Sequence, residues 1–94
     1  MLTMIDTLRQ LRQRGYVDEF SRQELKQFTR EAFKNDYVID QSYRIDELSD
    51  PEEQAAVYAI SSKDGKRRGI LINGYGPYSD PVINRLVEDT EIRH

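Results

Sequence analysis

Residues 55–80, AAVYAISSKDGKRRGILINGYGPYSD, decide the fold that this sequence predicts. Two apolar runs, 57–60 and 70–72, stand on either side of Asp64-Gly65. An Asp-Gly pair between apolar runs is typical of a tight β-hairpin, because both residues tolerate the positive φ angles of a two-residue turn. The stretch therefore predicts two antiparallel strands, followed by a glycine- and tyrosine-containing loop that leads into a helix.

The length of the turn decides which side chains face each other. A two-residue type I′ turn places Ala59 opposite Ile70. The alternative is a three-residue turn with Gly65 in the left-handed conformation, which places Ile60 opposite Arg68. We prefer the two-residue turn because it keeps apolar residues opposite apolar residues, and such cross-strand pairs contribute roughly 0.2–1 kcal/mol each.

Both faces of the predicted hairpin are apolar. The first face carries Val57, Ala59, Ile70 and Ile72, and the second carries Tyr58, Ile60 and Leu71. Because a sheet with one solvated face would alternate apolar and polar residues, both faces need a cover. We expect the first and last helices of the chain to cover the first face. The second face needs the helix predicted at 22–34 or a two-fold mate, and we favour a homodimer as its cover.

Three segments have apolar residues at the spacing of one helix face. They are 3–14, with Ile5, Leu8 and Leu11; 22–34, with Leu25, Phe28 and Phe33; and 81–90, with Ile83 and Leu86. The predicted N-caps are Thr3, Ser21 and Asp80, whose side chains can accept hydrogen bonds from the first turn. The turn at 15–20 is expected to place Tyr16 and Phe20 under the first helix.

A further strand is predicted at 37–46, where apolar and polar residues alternate. Tyr37, Ile39, Tyr43 and Ile45 are expected to point one way, and Asp40, Ser42, Arg44 and Asp46 the other. Together with hairpin strands at 55–62 and 67–73, this strand predicts a three-stranded antiparallel meander. The predicted fold is one α+β domain over 1–94, with helices packed on the meander in the order ααβββα.

The composition limits the classes of function. The 94 residues, 37% hydrophobic and 33% charged, are typical of one small soluble domain. No apolar run approaches the roughly 20 residues that cross a bilayer, and the N-terminus lacks a secretory signal, so we expect a cytoplasmic protein without a membrane partner. The net charge of −3 argues against a nucleic-acid partner.

The loop after the hairpin, 73–80, is the first candidate site. Glycine-rich turns ahead of a helix can bind phosphate through backbone N–H groups, so this loop could serve a ligand of phosphate or nucleotide type. The candidate residues are Asn73, Tyr75, Gly76, Tyr78 and Tyr43. However, the loop lacks the lysine and Ser/Thr of a P-loop, and Asp80 occupies the helix N-terminus that an anion needs. We therefore favour a structural connection whose tyrosines pack on the core.

The hairpin tip is the second candidate site. Lys63, Lys66, Arg67 and Arg68 place four cations within six residues, which could contact an acidic partner. The alternative, which we favour, is that the charged tip discourages aggregation of the sheet. Arg9, Arg12 and Arg14 form a second basic group, which we assign to the favourable end of the first helix dipole.

Groups suited to catalysis are scarce. The single histidine is the final residue, His94, the chain has no cysteine, and carboxylates such as Asp40 and Asp46 lie in stretches predicted to be solvated. We expect no catalytic residue, metal or cofactor. The expected function is a non-catalytic binding or regulatory module that acts through a protein partner or a homodimer. The alternative is a small-molecule binder or enzyme that uses the 73–80 loop.

Parts of the sequence resemble a known family. The matching residues are 57–62 (VYAISS), Gly69, Tyr75-Gly76, Tyr78 and Asp80, with Gly15-Tyr16 and Tyr43-Arg44 upstream. They are similar to those of a family of small uncharacterised bacterial proteins of about this length, some of which are labelled phosphoribosylpyrophosphate synthetases. Where this chain has Asn73 the family has an aspartate, so a carboxylate role does not transfer. The resemblance implies a bacterial source and supplies no mechanism.

Overall fold

The structure, a computed structural model, describes residues 3–46, 54–74 and 79–90. Its elements are helix α1 (Met4–Gln13), strand β1 (Asp18–Glu19), helices α2 (Arg22–Leu25) and α3 (Arg30–Asp36), strands β2 (Tyr37–Asp46), β3 (Gln54–Ser62) and β4 (Arg68–Gly74), and helix α4 (Pro81–Asp89). The fold is α+β as predicted, in the order αβααβββα. Among the described residues, no helix is long and apolar enough to cross a bilayer.

The sheet has four strands in the order β1-β4-β3-β2. The antiparallel β2–β3–β4 meander was predicted, but β1 adds a parallel strand, with Asp18 beside Gly69 and Glu19 beside Ile70. The sheet is therefore mixed, and the prediction of a purely antiparallel three-stranded sheet is wrong. A strand of two residues is too short to show alternation, so nothing in the local sequence announces it.

The hairpin has the predicted register but a different turn. Ala59 pairs with Ile70, as the two-residue turn required. However, the last backbone bond before the turn runs from the Ser62 N–H to the Arg67 carbonyl at 2.8 Å, so four residues form the turn. Within this turn only Gly65 has a positive φ, of 76°, which excludes the type I′ turn because that turn needs a positive φ at both central residues.

The side chain of Asp64 holds this wider turn. Its carboxylate accepts hydrogen bonds from the Ser62 hydroxyl at 2.6 Å and from the Lys66 N–H at 3.0 Å. The Ser62 bond, followed by the Lys66 bond, lowers the pKa of Asp64 because both favour the charged carboxylate. Local side-chain bonding of this kind competes with the tighter turn.

A β-bulge in β2 moves its side chains from one face of the sheet to the other. Ile39 pairs with Ile60, whereas Gln41 pairs with Ala59, which leaves Asp40 as the extra residue. The apolar pair before the bulge, Tyr37 and Ile39, and the apolar pair after it, Tyr43 and Ile45, consequently join different core clusters. The prediction that these four residues share a side is therefore wrong.

The helix predicted at 22–34 is two helices. Ser21 caps α2 by accepting the Glu24 N–H at 3.1 Å, and Thr29 caps α3 by accepting the Ala32 N–H at 3.1 Å. Thr29 has an extended backbone between the two helices. The interruption lets Phe28 pack edge-on against Phe33, with ring centroids 5.7 Å apart. A second cap and an aromatic contact thus replace one continuous helix.

One side of the sheet, which we call the three-helix face, is covered by α2, α3 and α4. Its buried cluster contains Phe20, Leu25, Phe33, Tyr37, Ile39, Ile60, Leu71, Ile83 and Leu86. The ring of Phe33 stacks on that of Tyr37 at 5.0 Å. This is the face of Tyr58, Ile60 and Leu71, for which we favoured a two-fold mate. Because helices of the same chain cover it, the face does not need a second copy.

On the other side, which we call the one-helix face, α1 is the only helix among the described residues that packs on the sheet. Its buried cluster contains Leu11, Tyr16, Ile45, Val57, Ala59 and Ile70. The expectation that the last helix also covers this face is wrong, since Ile83 and Leu86 of α4 belong to the opposite cluster. The expectation that Phe20 lies under the first helix is also wrong, since Phe20 belongs to the three-helix face. Strand β1 lies at the edge of the sheet between Tyr16 and Phe20, so the two rings are on opposite faces.

Candidate functional site

The predicted ligand residue Asn73 faces the interior. It is 1% exposed, its amide NH₂ donates to Asn84 Oδ1 at 2.8 Å, and its Oδ1 accepts the Asp80 N–H at 3.0 Å. Asp80 caps α4 by accepting the Val82 N–H at 2.9 Å. The Asn73 amide thus fastens the end of β4 to the start of α4. Tyr75, Gly76 and Tyr78 lie outside the described residues.

Tyr43, the fifth predicted ligand residue, is not brought to Asn73. Tyr43 packs against the cluster of the one-helix face. Asn73 alternates with Ile72 along β4 and contacts α4 on the three-helix face. The sheet therefore separates the two side chains, and a single pocket cannot include both.

Arg67 of the predicted basic tip is engaged within the fold. Its guanidinium binds the carboxylates of Asp18, at 2.5 Å, and Glu24, and lies 4.1 Å from the ring centroid of Phe20. The Glu24 bonds contribute most to raising the pKa of Arg67. Conversely, the Arg67 bond lowers the pKa of Asp18, with a smaller contribution from the Glu19 N–H. This guanidinium joins β4 to β1 and α2.

Arg68 points to the other face of the sheet. Its guanidinium lies 4.3 Å from the ring centroid of Tyr16 and donates to the Arg14 carbonyl at 3.0 Å, where α1 ends. Lys63 and Lys66, in contrast, are exposed on the turn. The four cations of the tip therefore divide into two arginines whose guanidinium groups contact other elements and two exposed lysines on the turn. An acidic contact at the lysines stays a prediction.

A polar network at the bulge was missed from the sequence. The Asp40 Oδ2 accepts the Tyr16 hydroxyl at 2.6 Å and the Ser61 hydroxyl at 2.8 Å. Burial, followed by the hydrogen bond to Asp40, raises the pKa of Tyr16. The assignment of Asp40 to a solvated stretch is therefore wrong. The bulge turns this carboxylate towards the protein, and no local sequence signal marks the position.

Exposed apolar residues converge on the one-helix face. Ile5 is 69% exposed and Ile72 is 43% exposed. Ile5, Leu8, Arg9, Arg12 and Gln13 line an open depression along α1. A second depression, lined by Leu8, Arg12, Glu19, Phe20, Ile70 and Ile72, lies between α1 and the edge of β4. Since the two share Leu8 and Arg12, they form one continuous surface, which we call the α1–β4 surface.

The charges of the α1–β4 surface are mainly positive. Arg12 pairs with Glu19 at 3.6 Å, and both side chains are more than half exposed. Arg9 has no ion pair within the described residues. The sequence assigns both arginines to the helix dipole and Ile5 to the apolar stripe that α1 buries, and the second assignment is wrong because Ile5 is 69% exposed. The sequence pattern cannot separate Ile5 from Leu11, because both fit the same helical spacing.

Within the described residues, no three His, Cys, Asp or Glu side chains lie close enough to hold a metal ion. Comparison of the chain with protein-family models, with curated proteins and with solved structures returned no match. The resemblance to the small bacterial family therefore stays a prediction. The function must be argued from the chain's own surface.

Proposed function

We propose that this chain is a non-catalytic binding module that docks a protein partner on the α1–β4 surface. The observation that carries the proposal is the exposure of Ile5 and Ile72 on two depressions that share Leu8 and Arg12. Single exposed apolar residues are common on protein surfaces, but apolar residues grouped around a depression and bordered by polar groups mark interaction sites.

The border of the surface supports this role. Arginine is enriched at protein interfaces, where its guanidinium binds carboxylates and its aliphatic part packs on apolar side chains. Arg9 and Arg12 stand beside Leu8 on the same helix. Their guanidinium groups can therefore orient a partner whose apolar side chain occupies the depression.

We favour a different protein over a second copy of the chain. The face for which a two-fold mate was expected is closed by α2, α3 and α4. A two-fold interface at the α1–β4 surface would bring identical patches together. The same interface would then hold Arg9 and Arg12 of both copies, and like charges across an interface disfavour association. A cytoplasmic location, expected from the sequence, stays a prediction.

Photocrosslinking tests the proposal with a matched control. A photoreactive amino acid replaces Ile5 in one variant and Val17 in another, since Val17 is 76% exposed but does not line the surface. We expect irradiation in the cells that produce the protein to give discrete adducts of protein size from position 5 and none from position 17. Equal labelling from both positions, or none from position 5, would contradict the proposal.

A thermal-shift panel of nucleotides and sugar phosphates tests the small-molecule alternative. A ligand at a hundred times its dissociation constant stabilises a protein by about 2.7 kcal/mol. Because Asn73 is turned inward to Asn84, we expect no stabilisation by the panel.

Light scattering of the purified chain is expected to give the mass of a monomer, whereas a dimer mass would favour the second copy.

A further inference from the structure

The outer edge of β4 is only partly covered. Strand β1 pairs with Gly69 and Ile70, and the Phe20 N–H donates to the Ile70 carbonyl at 3.0 Å. The chain then leaves the sheet towards the cap of α2 at Ser21. Within the described residues, the remainder of β4, residues 71–74, pairs with β3 on its inner side but has no strand on its outer side.

The backbone of Ile72 faces this open edge. N–H and C=O groups of a strand point alternately to its two sides, so Ile72 points the same way as Ile70, towards β1 and away from β3. The bond from the Ser62 N–H to the Arg67 carbonyl confirms this alternation, since it makes Val57–Ile72 a pair without mutual hydrogen bonds. Within the described residues the Ile72 N–H and carbonyl have no hydrogen-bond partner.

The side chain of Ile72 lies next to this open backbone. It lines the depression together with Leu8, Ile70 and Arg12. A chain that paired with β4 here would place alternate side chains on the one-helix face, about 7 Å apart. One of them would pack on Ile72 and Leu8, and the next on the same face would reach the arginines of α1.

We propose that the α1–β4 surface binds an extended peptide segment as an additional strand beside residues 71–74. The segment carries an apolar residue over Ile72 and an acidic residue two positions away, which binds Arg9 or Arg12. Strand addition provides main-chain hydrogen bonds, and pockets for alternate side chains provide specificity. The inference rests on the proposed function and adds the chemistry and the conformation of the partner.

The charges of the surface favour an acidic segment. Among the described lining residues, Arg9 and Arg12 face one carboxylate, that of Glu19, which already pairs with Arg12. An incoming carboxylate can bind Arg9 directly, or bind Arg12 in competition with Glu19. A basic segment would meet two guanidinium groups for one carboxylate.

The other edge of the sheet is less suited to strand addition. The outer strand there is β2, and its ladder is interrupted by the bulge at Asp40. Bulges and charged side chains on edge strands discourage pairing with another chain. At β4, in contrast, an open main-chain edge and an apolar depression lie side by side.

Selection from a display library of short random peptides tests the proposal on the full chain. We expect enriched peptides to share an apolar residue and an acidic residue at spacing i, i+2, and to bind in a fluorescence-polarisation titration. Arg9→Glu should weaken that binding at least about tenfold, because it replaces an attraction with a repulsion. The control is Val82→Asp on α4, where Val82 is exposed to nearly the same extent as Ile72. This variant should leave the affinity for the peptide unchanged.

N-methylation of the peptide backbone gives a readout that does not depend on the folding of a variant. Methylation of any one amide that faces β4 should lower the affinity of the peptide about tenfold, because these amides donate hydrogen bonds to the sheet. Methylation of the alternate amides should leave the affinity unchanged. Uniform tolerance of methylation, or enrichment of apolar residues at spacing i, i+3 and i+4, would overturn strand addition.

The two proposals fail in different ways. Adducts from position 5 without methylation-sensitive peptides would leave the docking surface in place and exclude the strand. Methylation-sensitive peptides that bind the Arg9→Glu variant as tightly as the original chain would overturn the acidic partner. The absence of both adducts and peptides would overturn the proposed function itself.

Discussion

The two faces of the sheet are built from the same three strands, β2, β3 and β4, but are covered very differently. On the three-helix face, α2, α3 and α4 surround an aromatic cluster, and Leu71 is 1% exposed. On the one-helix face, α1 is the only helix in the described part of the chain that covers the strands, and the next residue, Ile72, is 43% exposed. The difference indicates that the first face stabilises the fold, whereas the second leaves apolar side chains exposed, which is where we propose that a partner docks.

Neighbouring arginines show the same division. Arg67 lies over Phe20 on the three-helix face and binds two carboxylates, those of Asp18 and Glu24. Arg68 lies over Tyr16 on the one-helix face and donates to a carbonyl, that of Arg14, and within the described residues it has no carboxylate partner. On the three-helix face, this part of the hairpin is therefore held by ion pairs, whereas on the one-helix face it is held by weaker contacts. The following substitutions test this contrast, from the largest expected effect to the smallest.

Leu71→Ala and Ile72→Ala compare the two faces at adjacent positions. Leu71→Ala should lower the free energy of unfolding by about 2–5 kcal/mol, because it leaves a cavity in the aromatic cluster. Ile72→Ala should lower it by less than about 1 kcal/mol, because much of that side chain is already in water. Chemical denaturation measures both. Equal losses would show that the two faces do not differ in their contribution to stability.

Gly69→Ala tests the contact between β1 and β4 at the edge of the sheet, which both faces share. A Cβ at Gly69 would lie 2.8 Å from Phe20 Cε2 and 2.9 Å from the Asp18 carbonyl oxygen, so backbone must move. We expect a loss of about 1–3 kcal/mol in the free energy of unfolding. The control is Gly65→Ala, which meets nothing within 4 Å and should lose about 1 kcal/mol through its positive φ alone. A smaller loss at Gly69 than at Gly65 would contradict the tight contact.

Arg67→Met should lower the free energy of unfolding by about 1–2 kcal/mol, since it leaves Glu24 and Asp18 without their cation. Arg68→Met should lower it by less. The pKa of Asp18 is lowered in the fold, so its contribution is present at neutral pH and is lost as the pH falls below about 4. The acid loss of stability should therefore be shallower in Arg67→Met than in Arg68→Met. Parallel acid profiles would contradict the ion pair.

Tyr16→Phe should lower the free energy of unfolding by about 1 kcal/mol, through the lost bond to Asp40. The pKa of Tyr16 is raised in the fold, so its contribution is present below pH 10 and is lost as the pH rises above that value. Tyr16→Phe should remove this alkaline loss. Ser61→Ala removes a bond to the same Asp40 oxygen but no titrating group, so it should keep the alkaline loss. Denaturation melts from neutral to alkaline pH distinguish the two variants.

The candidate sites were harder to predict than the elements that carry them. The four cations at 63–68 look alike in sequence, yet Arg67 binds Glu24, which is forty-three residues away along the chain. Asn73 stands in a loop motif that suggests a ligand, yet its amide is used by Asn84. In each case the partner of the side chain comes from a distant element, so spacing along the chain carries no information about it.

The sequence by itself determined the features that depend on neighbouring residues. Thr3, Ser21 and Asp80 cap their helices as predicted, because the acceptor and the N–H it binds lie two or three residues apart. The hairpin register followed from the apolar pairs alone, even though the turn itself differs.

Only the tertiary structure decided the features that depend on how these pieces pack. The bulge at Asp40, the short strand β1 and the packing of α4 on the three-helix face each depend on contacts between distant segments. The exposure of Ile5 and Ile72 depends on the same packing, because an apolar stripe specifies which side of an element prefers burial but not whether enough of the chain arrives to bury it.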